Sequence, residues 1–166
     1  MKALSDPRGM ALIAATAAHG PAIAELHRRC FDEAWSVFTV RQVLAMPGAL
    51  GILAVAEGFH GGADDGALLG FALARSAAGE CELLSLAVAA GHRGRGVGST
   101  LLAAALDRAR KDGVRRMFLE VAEDNAVAQR LYQGYGFRQV GRRPRYYRRP
   151  HGEAIAALTY SLALAD

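Results

Sequence analysis

Apolar residues along this chain change rhythm several times, and each change marks an element. "MALIAAT" (10–16) is a short apolar run that reads as a strand. Across 21–31, Ile23, Leu26 and Cys30 recur at helical spacing, with His27 beside them on the same face. A second helix is expected to start near Thr39, where Thr39-x-x-Gln42 fits a capping box. Two apolar runs, "LGILAVAE" and "LLGFALARS", flank the Gly- and Asp-rich stretch "GFHGGADDGA" (58–67), a hairpin with a long loop. "ECELLSLAVA" (80–89) reads as a buried strand. A long helix follows over about 98–111, with Leu101, Leu102, Ala105, Leu106 and Ala109 in phase and Gly113 placed to end it. "VRRMFLEVA" (114–122) is a further strand, 125–134 a short helix, 137–147 a basic strand, and 154–164 a last strand after a turn at His151-Gly152. The resulting order, β-α-α-β-β-β-α-β-α-β-β, predicts a single α/β (α+β) domain over 1–166, one mixed sheet with helices on both faces.

Composition changes this picture little. At 166 residues, 52% apolar and 22% charged, the chain can bury a core without disulfides or metals. Cys30 and Cys81 have no companions at metal-ligand spacing, and both are expected as buried free thiols in a reducing compartment. His27 and Cys30 share a helix face, but two ligands do not make a zinc site, so no metal is expected. No apolar run is long enough to span a membrane. The opening "MKALSDPRGMALIAAT" makes a poor signal peptide, which predicts a cytoplasmic address.

Charge matters once it is located. The formal net charge is +4, yet Arg138, Arg142, Arg143, Arg145, Arg148 and Arg149 lie together without an acid among them. The basicity is therefore one local patch. It suits an acidic peptide or RNA, and equally a solvated strand edge bearing Arg.

The most distinctive stretch is "GHRGRGVGST" (91–100), between the strand at 80–89 and the long helix. A P-loop needs G-x-x-x-x-G-K-[ST], and no Lys follows these glycines. The dinucleotide fingerprint G-x-G-x-x-G needs Gly at 99 or 101, which are Ser and Leu. What remains is Arg93-Gly94-Arg95-Gly96-Val97-Gly98, an [RQ]-x-x-G-x-[GA] pattern. Glycines there let successive N–H groups converge, and the following helix adds its positive end, a nest suited to a diphosphate.

With these motifs in hand, the chain resembles the GNAT N-acetyltransferase superfamily. "LLSLAVAAGHRGRGVGSTLL" looks like that family's strand-loop-helix core, and "MFLEVAEDNAVAQRLYQGYGF" like its next strand and helix, ending in "LYxxxGF". Within it, "CFDEAWS", "FLEV", "EDNAVAQRLY" and "RRPRYY" resemble the RimI-type ribosomal-protein-alanine N-acetyltransferases. Two departures fall on the acceptor side: Ala34 precedes the Trp where that type usually has Pro, and "GEAIA" replaces its acidic pair. The resemblance implies a central, mostly antiparallel sheet of about seven strands, and acetyl-CoA as co-substrate. It implies a protein N-terminus as acceptor, possibly ribosomal, with no specific nucleic-acid binding and a monomer or weak dimer. Its acetyl-CoA diphosphate sits on the loop from Arg93 through Gly94, Arg95, Gly96, Val97 and Gly98 to Ser99. Backbone amides around Leu86, Ala87 and Val88 contact the pantetheine arm and thioester oxygen, and Asn125 matches a cofactor-contacting Asn that is also an ordinary N-cap.

Acetyl transfer to an amine needs a base and an acid. In "MFLEV", Met117, Leu119 and Val121 share one face while Phe118 and Glu120 share the other. Glu120 is the candidate general base, acting through water; partial burial in so apolar a strand pushes a carboxyl toward a useful range. A strand-end carboxylate facing water is the plainer alternative. Tyr132 is the candidate acid for the departing thiolate, since a phenol near pKa 10 lies only about 1.5 units above a thiol near 8.5. Packing of Tyr132 in the core is the competing reading. Phe31, Trp35, Tyr146 and Tyr147 are candidates to line the acceptor groove, or core aromatics. An α-amine near pKa 8 is roughly a tenth neutral at pH 7 and a lysine far less, which favours an N-terminal acceptor. A small amine or a lysine side chain within the same class, and a non-catalytic acyl-CoA-binding module outside it, are the alternatives.

Overall fold

The computed structural model describes residues 9–62 and 67–164. Residues 1–8 of the leader reading and 63–66 of the predicted loop lie outside them. Eleven regular elements follow the predicted order. They are β1 (Met10–Ala14), α1 (Gly20–Cys30), α2 (Val37–Ala45), β2 (Ala49–Ala56), β3 (Leu68–Ala77), β4 (Glu80–Val88), α3 (Val97–Lys111), β5 (Arg116–Ala122), α4 (Ala126–Gly134), β6 (Arg138–Arg148) and β7 (Ala154–Ala163). Short 3-10 turns at Ala17–His19 and Ala90–His92 complete the list.

All seven strands form one sheet in the order β1-β2-β3-β4-β5-β7-β6. All neighbours are antiparallel, with β2–β3, β3–β4 and β6–β7 joined as hairpins, except β4 and β5, which run parallel because α3 carries the chain back across one face. On that face Leu101, Leu102, Ala105 and Leu106 of α3 pack with Cys81, Leu83, Met117 and Leu119. On the other, Ile23 and Leu26 of α1 and Val40 of α2 pack with Leu53, Phe71 and Leu73. Leu101, Leu102 and Met117 are fully buried, so truncating any of them to Ala costs about 2–5 kcal/mol.

The β4–β5 ladder is short. It pairs Glu80–Leu83 with Arg116–Leu119 and goes no further, although both strands continue. A register shift opposite Leu73/Ala74 loops out Leu84, and β4 beyond it pairs only with β3, Leu86 against Ala72 and Val88 against Gly70. The two strands diverge from there.

Two expectations are corrected. The second helix starts at Val37 rather than near Thr39, because Ser36 is the N-cap, its Oγ accepting from the Thr39 N–H at 3.1 Å. That earlier start lets Val37 join Val40 in the core. Both cysteines are free, but Cys30 is only half-buried, being the last residue of α1, while Cys81 sits inside the sheet.

Candidate active site

The glycine loop ends in a helix with an uncapped start. Gly94 and Gly96 adopt φ of +71° and +82°, a region that L side chains avoid, and Gly96 is the N-cap of α3. The Gly96 N-cap has no side chain to accept from the first turn, which leaves the N–H groups there as donors under the helix dipole. Thr100 instead turns its hydroxyl back onto the Gly96 carbonyl at 2.9 Å. Val97 is buried beneath the loop and Gly98 packs against Val88 and Leu131.

The flanking candidates do different work. Arg93 folds back, its Nε donating to the Val88 carbonyl at 3.0 Å and its Nη2 lying 3.5 Å from the Cys30 Sγ. It braces the end of β4 against α1. Arg95 is exposed on the loop. Ser99 is held by Tyr135, whose hydroxyl lies 2.7 Å from the Ser99 Oγ and donates to its carbonyl at 2.9 Å. Sequence reading missed Tyr135; its signal was the second Tyr inside the "LYxxxGF" segment. Asn125 is the N-cap of α4, its Oδ1 accepting from the Ala128 N–H at 3.1 Å. The backbone edge at Leu86, Ala87 and Val88 belongs to the diverging half of β4 and has no β5 partner.

Glu120 and Tyr132 stand on opposite faces of the sheet. Leu119 and Val121 join the core under α3, so Glu120, between them, faces the side of α1 and α2. Tyr132 belongs to the α3 core, edge-on to Phe137 at 5.9 Å between centroids. Glu120 is the first residue of β5 beyond its ladder with β4. Burial pushes the Tyr132 phenol up to about 12, with the Tyr147 charge adding to it. The expected gap of about 1.5 units to a thiol therefore widens to about 3.5. The same desolvation also penalises a thiolate left beside the phenol, so the balance between the two moves by less than the phenol does.

Glu120 is not surrounded by apolar groups alone. Arg143 Nε of β6 reaches its Oε1 at 3.1 Å, with the Glu120 side chain 20% exposed. The two line a depression of about 310 Å³ together with Glu82, Phe118 and Thr159.

The α1–α2 connection and the β6–β7 hairpin form the walls on this face. His27, buried at the end of α1, accepts the Trp35 N–H on Nδ1 at 3.1 Å. Its ring stacks on Trp35 at 4.8 Å and lies 4.4 Å from Phe31. Trp35 is thereby half-buried and Phe31 exposed, each partly packed and partly available. The i+4 spacing of His27 and Phe31 in the sequence was the signal that could have paired their rings. Tyr147 is half-buried and pushed up to about 12 by burial, with the Glu120 charge next. Tyr146 is exposed, edge-on to Tyr147 at 5.1 Å, with the Arg143 guanidinium 5.5 Å over its ring. The arginine run is partly neutralised: Arg142 binds Glu123 through two bonds of 2.9 and 3.0 Å, and Arg149 bridges Asp124 and Asp32.

A loop that offers bare amides at a helix start suits the phosphates of a cofactor, and the open edge of β4 lies beside it. Residues 20–137 match the acetyltransferase (GNAT) family, and the chain belongs to it. It is 35% identical to the N-alpha-acetyltransferase RimI of Mycobacterium tuberculosis over 150 residues, 87% of this chain and 88% of that one. The fold is that of the ribosomal-protein-S18-alanine N-acetyltransferase from Escherichia coli, TM-score 0.84 at 24% identity, covering 95% of both chains. It is also that of Arabidopsis thaliana NAA60, solved in complex with acetyl-CoA, TM-score 0.79 at 18% identity, covering 93% of this chain and 98% of that one. The protein is an N-acetyltransferase of the acetyl-CoA-using type.

Proposed function

We propose that this enzyme acetylates the N-terminal α-amine of a protein, of the ribosomal-protein-alanine kind, by direct attack on acetyl-CoA in a ternary complex in the cytoplasm. The observation that carries the reading is the opening between β4 and β5, with Glu120 on one side and Tyr132 on the other. The acceptor arrives on the face walled by Trp35 and Tyr147, and the cofactor diphosphate rests on the first turn of α3. Glu120 removes the amine proton through water. The C–N bond forms, amides of the open β4 edge donate to the oxyanion, and the C–S bond then breaks. The thiolate takes its proton from Tyr132, which burial keeps protonated throughout the working pH range.

The relatives named for N-terminal acetylation support the acceptor class, as does the neutral fraction of an α-amine at pH 7. The test is acetyl transfer to peptides, including Ala-initiated ribosomal ones, alongside small amines. Peptides blocked at the α-amine should be inert and those blocked only at lysine should react; the reverse pattern, or a preference for small amines, overturns the acceptor. Glu120→Gln and Tyr132→Phe should each lower kcat by about 10²-fold or more. A value near wild type for either variant removes that residue's role.

A further inference from the structure

Arg143 and Glu120 meet across an intervening strand. β7 lies between β6 and β5, so their backbones are about 9.5 Å apart. The side chains in the way are small: Glu120 is level with Thr159 and Gly141, and Arg143 with Ala157. A long arginine can therefore lie flat over β7 and reach the carboxylate. β6 is shaped for this. Its register shifts between Arg143 and Tyr147, Pro144 removes an N–H that an edge strand can spare, and Arg145 takes φ of +54°. The bulge turns Tyr146 beneath the same guanidinium.

Other charges around Glu120 oppose one another. β4 contributes Glu80 and Glu82, β3 contributes Arg75, and β6 contributes Arg143, all on the same depression. β7 presents the neutral Thr159, and the Tyr147 hydroxyl lies within electrostatic range. Of these, Arg143 is the cation in direct contact with the carboxylate.

We propose that Arg143 is a positioning residue for acetyl transfer, holding the Glu120 carboxylate in place beside the β4–β5 opening. This rests on Glu120 being the base.

The experiment measures kcat and KM for wild type, Arg143→Ala and Arg143→Lys, each also in a Glu120→Gln background. Arg143→Ala should lower kcat by about 10-fold with KM for acetyl-CoA unchanged, because the carboxylate loses its fixed place. Arg143→Lys, which keeps a cation on the same strand, should recover part of that loss. Raising the salt concentration should move the wild-type kcat toward that of Arg143→Ala. In Glu120→Gln, removing Arg143 should change nothing further. An unchanged kcat, a loss confined to KM, or the same loss in both backgrounds overturns the proposal. An active Glu120→Gln enzyme instead overturns the assignment of the base, so the two failures are distinguishable.

Discussion

Burial of the His27 ring lowers its pKa from 6.5 to about 4, because the desolvated imidazole resists charging. Above pH 6.5 it is neutral in both folded and unfolded chains. As pH falls below 6.5 the unfolded chain takes up a proton that the folded one refuses, and stability drains away until about pH 4. The full cost is about 3 kcal/mol. Urea unfolding at pH 7 and pH 4.5 should show the loss, and His27→Phe should flatten the slope relative to wild type. Sequence alternation was enough to put Glu120 opposite Leu119 and Val121, because strand parity is local. It could not reveal Arg143, whose contact with Glu120 spans 23 positions and depends on small residues in a third strand. Nor could it show that Arg93 would turn back onto Val88 and Cys30, since a loop arginine reads the same in either orientation.

Element boundaries were legible where a side chain has one job. Gly113 ends α3 and Asn125 caps α4 as the pattern implied. Thr39 was the cap the sequence pointed to, but Ser36 holds that place, and Val37 after it packs against the core. Ser36→Ala should cost about 1 kcal/mol in chemical denaturation. Since α2 follows directly on Trp35, the same change should raise KM for the acceptor more than for acetyl-CoA. The loop before α3 answers to a different constraint. At Gly96, with φ of +82°, alanine brings a left-handed penalty of about 1 kcal/mol and turns the first amides of the helix. Gly96→Ala should therefore raise KM for acetyl-CoA with little effect on the acceptor.

On the scale of the whole molecule, the basic run is less of a polyanion surface than its composition suggests. Arg142, Arg143 and Arg149 spend their charge on Glu123, Glu120, Asp124 and Asp32. Those pairs fasten the β6–β7 hairpin to β5, to the start of α4 and to the α1–α2 connection. The short β4–β5 ladder has an effect of another kind. Four rungs stitch a block of β1 to β4 to a block of β5, β7 and β6, and past Leu83 the seam is open. Anything that bonds to the bare edge of β4 acts as thread. Acetyl-CoA at 100 times its Kd should stabilise the fold by about 2.7 kcal/mol. The gain should be local, with amide exchange slowing most at 84–88 and 119–122. If protection rises evenly over the chain, the seam carries no strain of its own. If it rises there first, the substrate finishes the weave of its own enzyme.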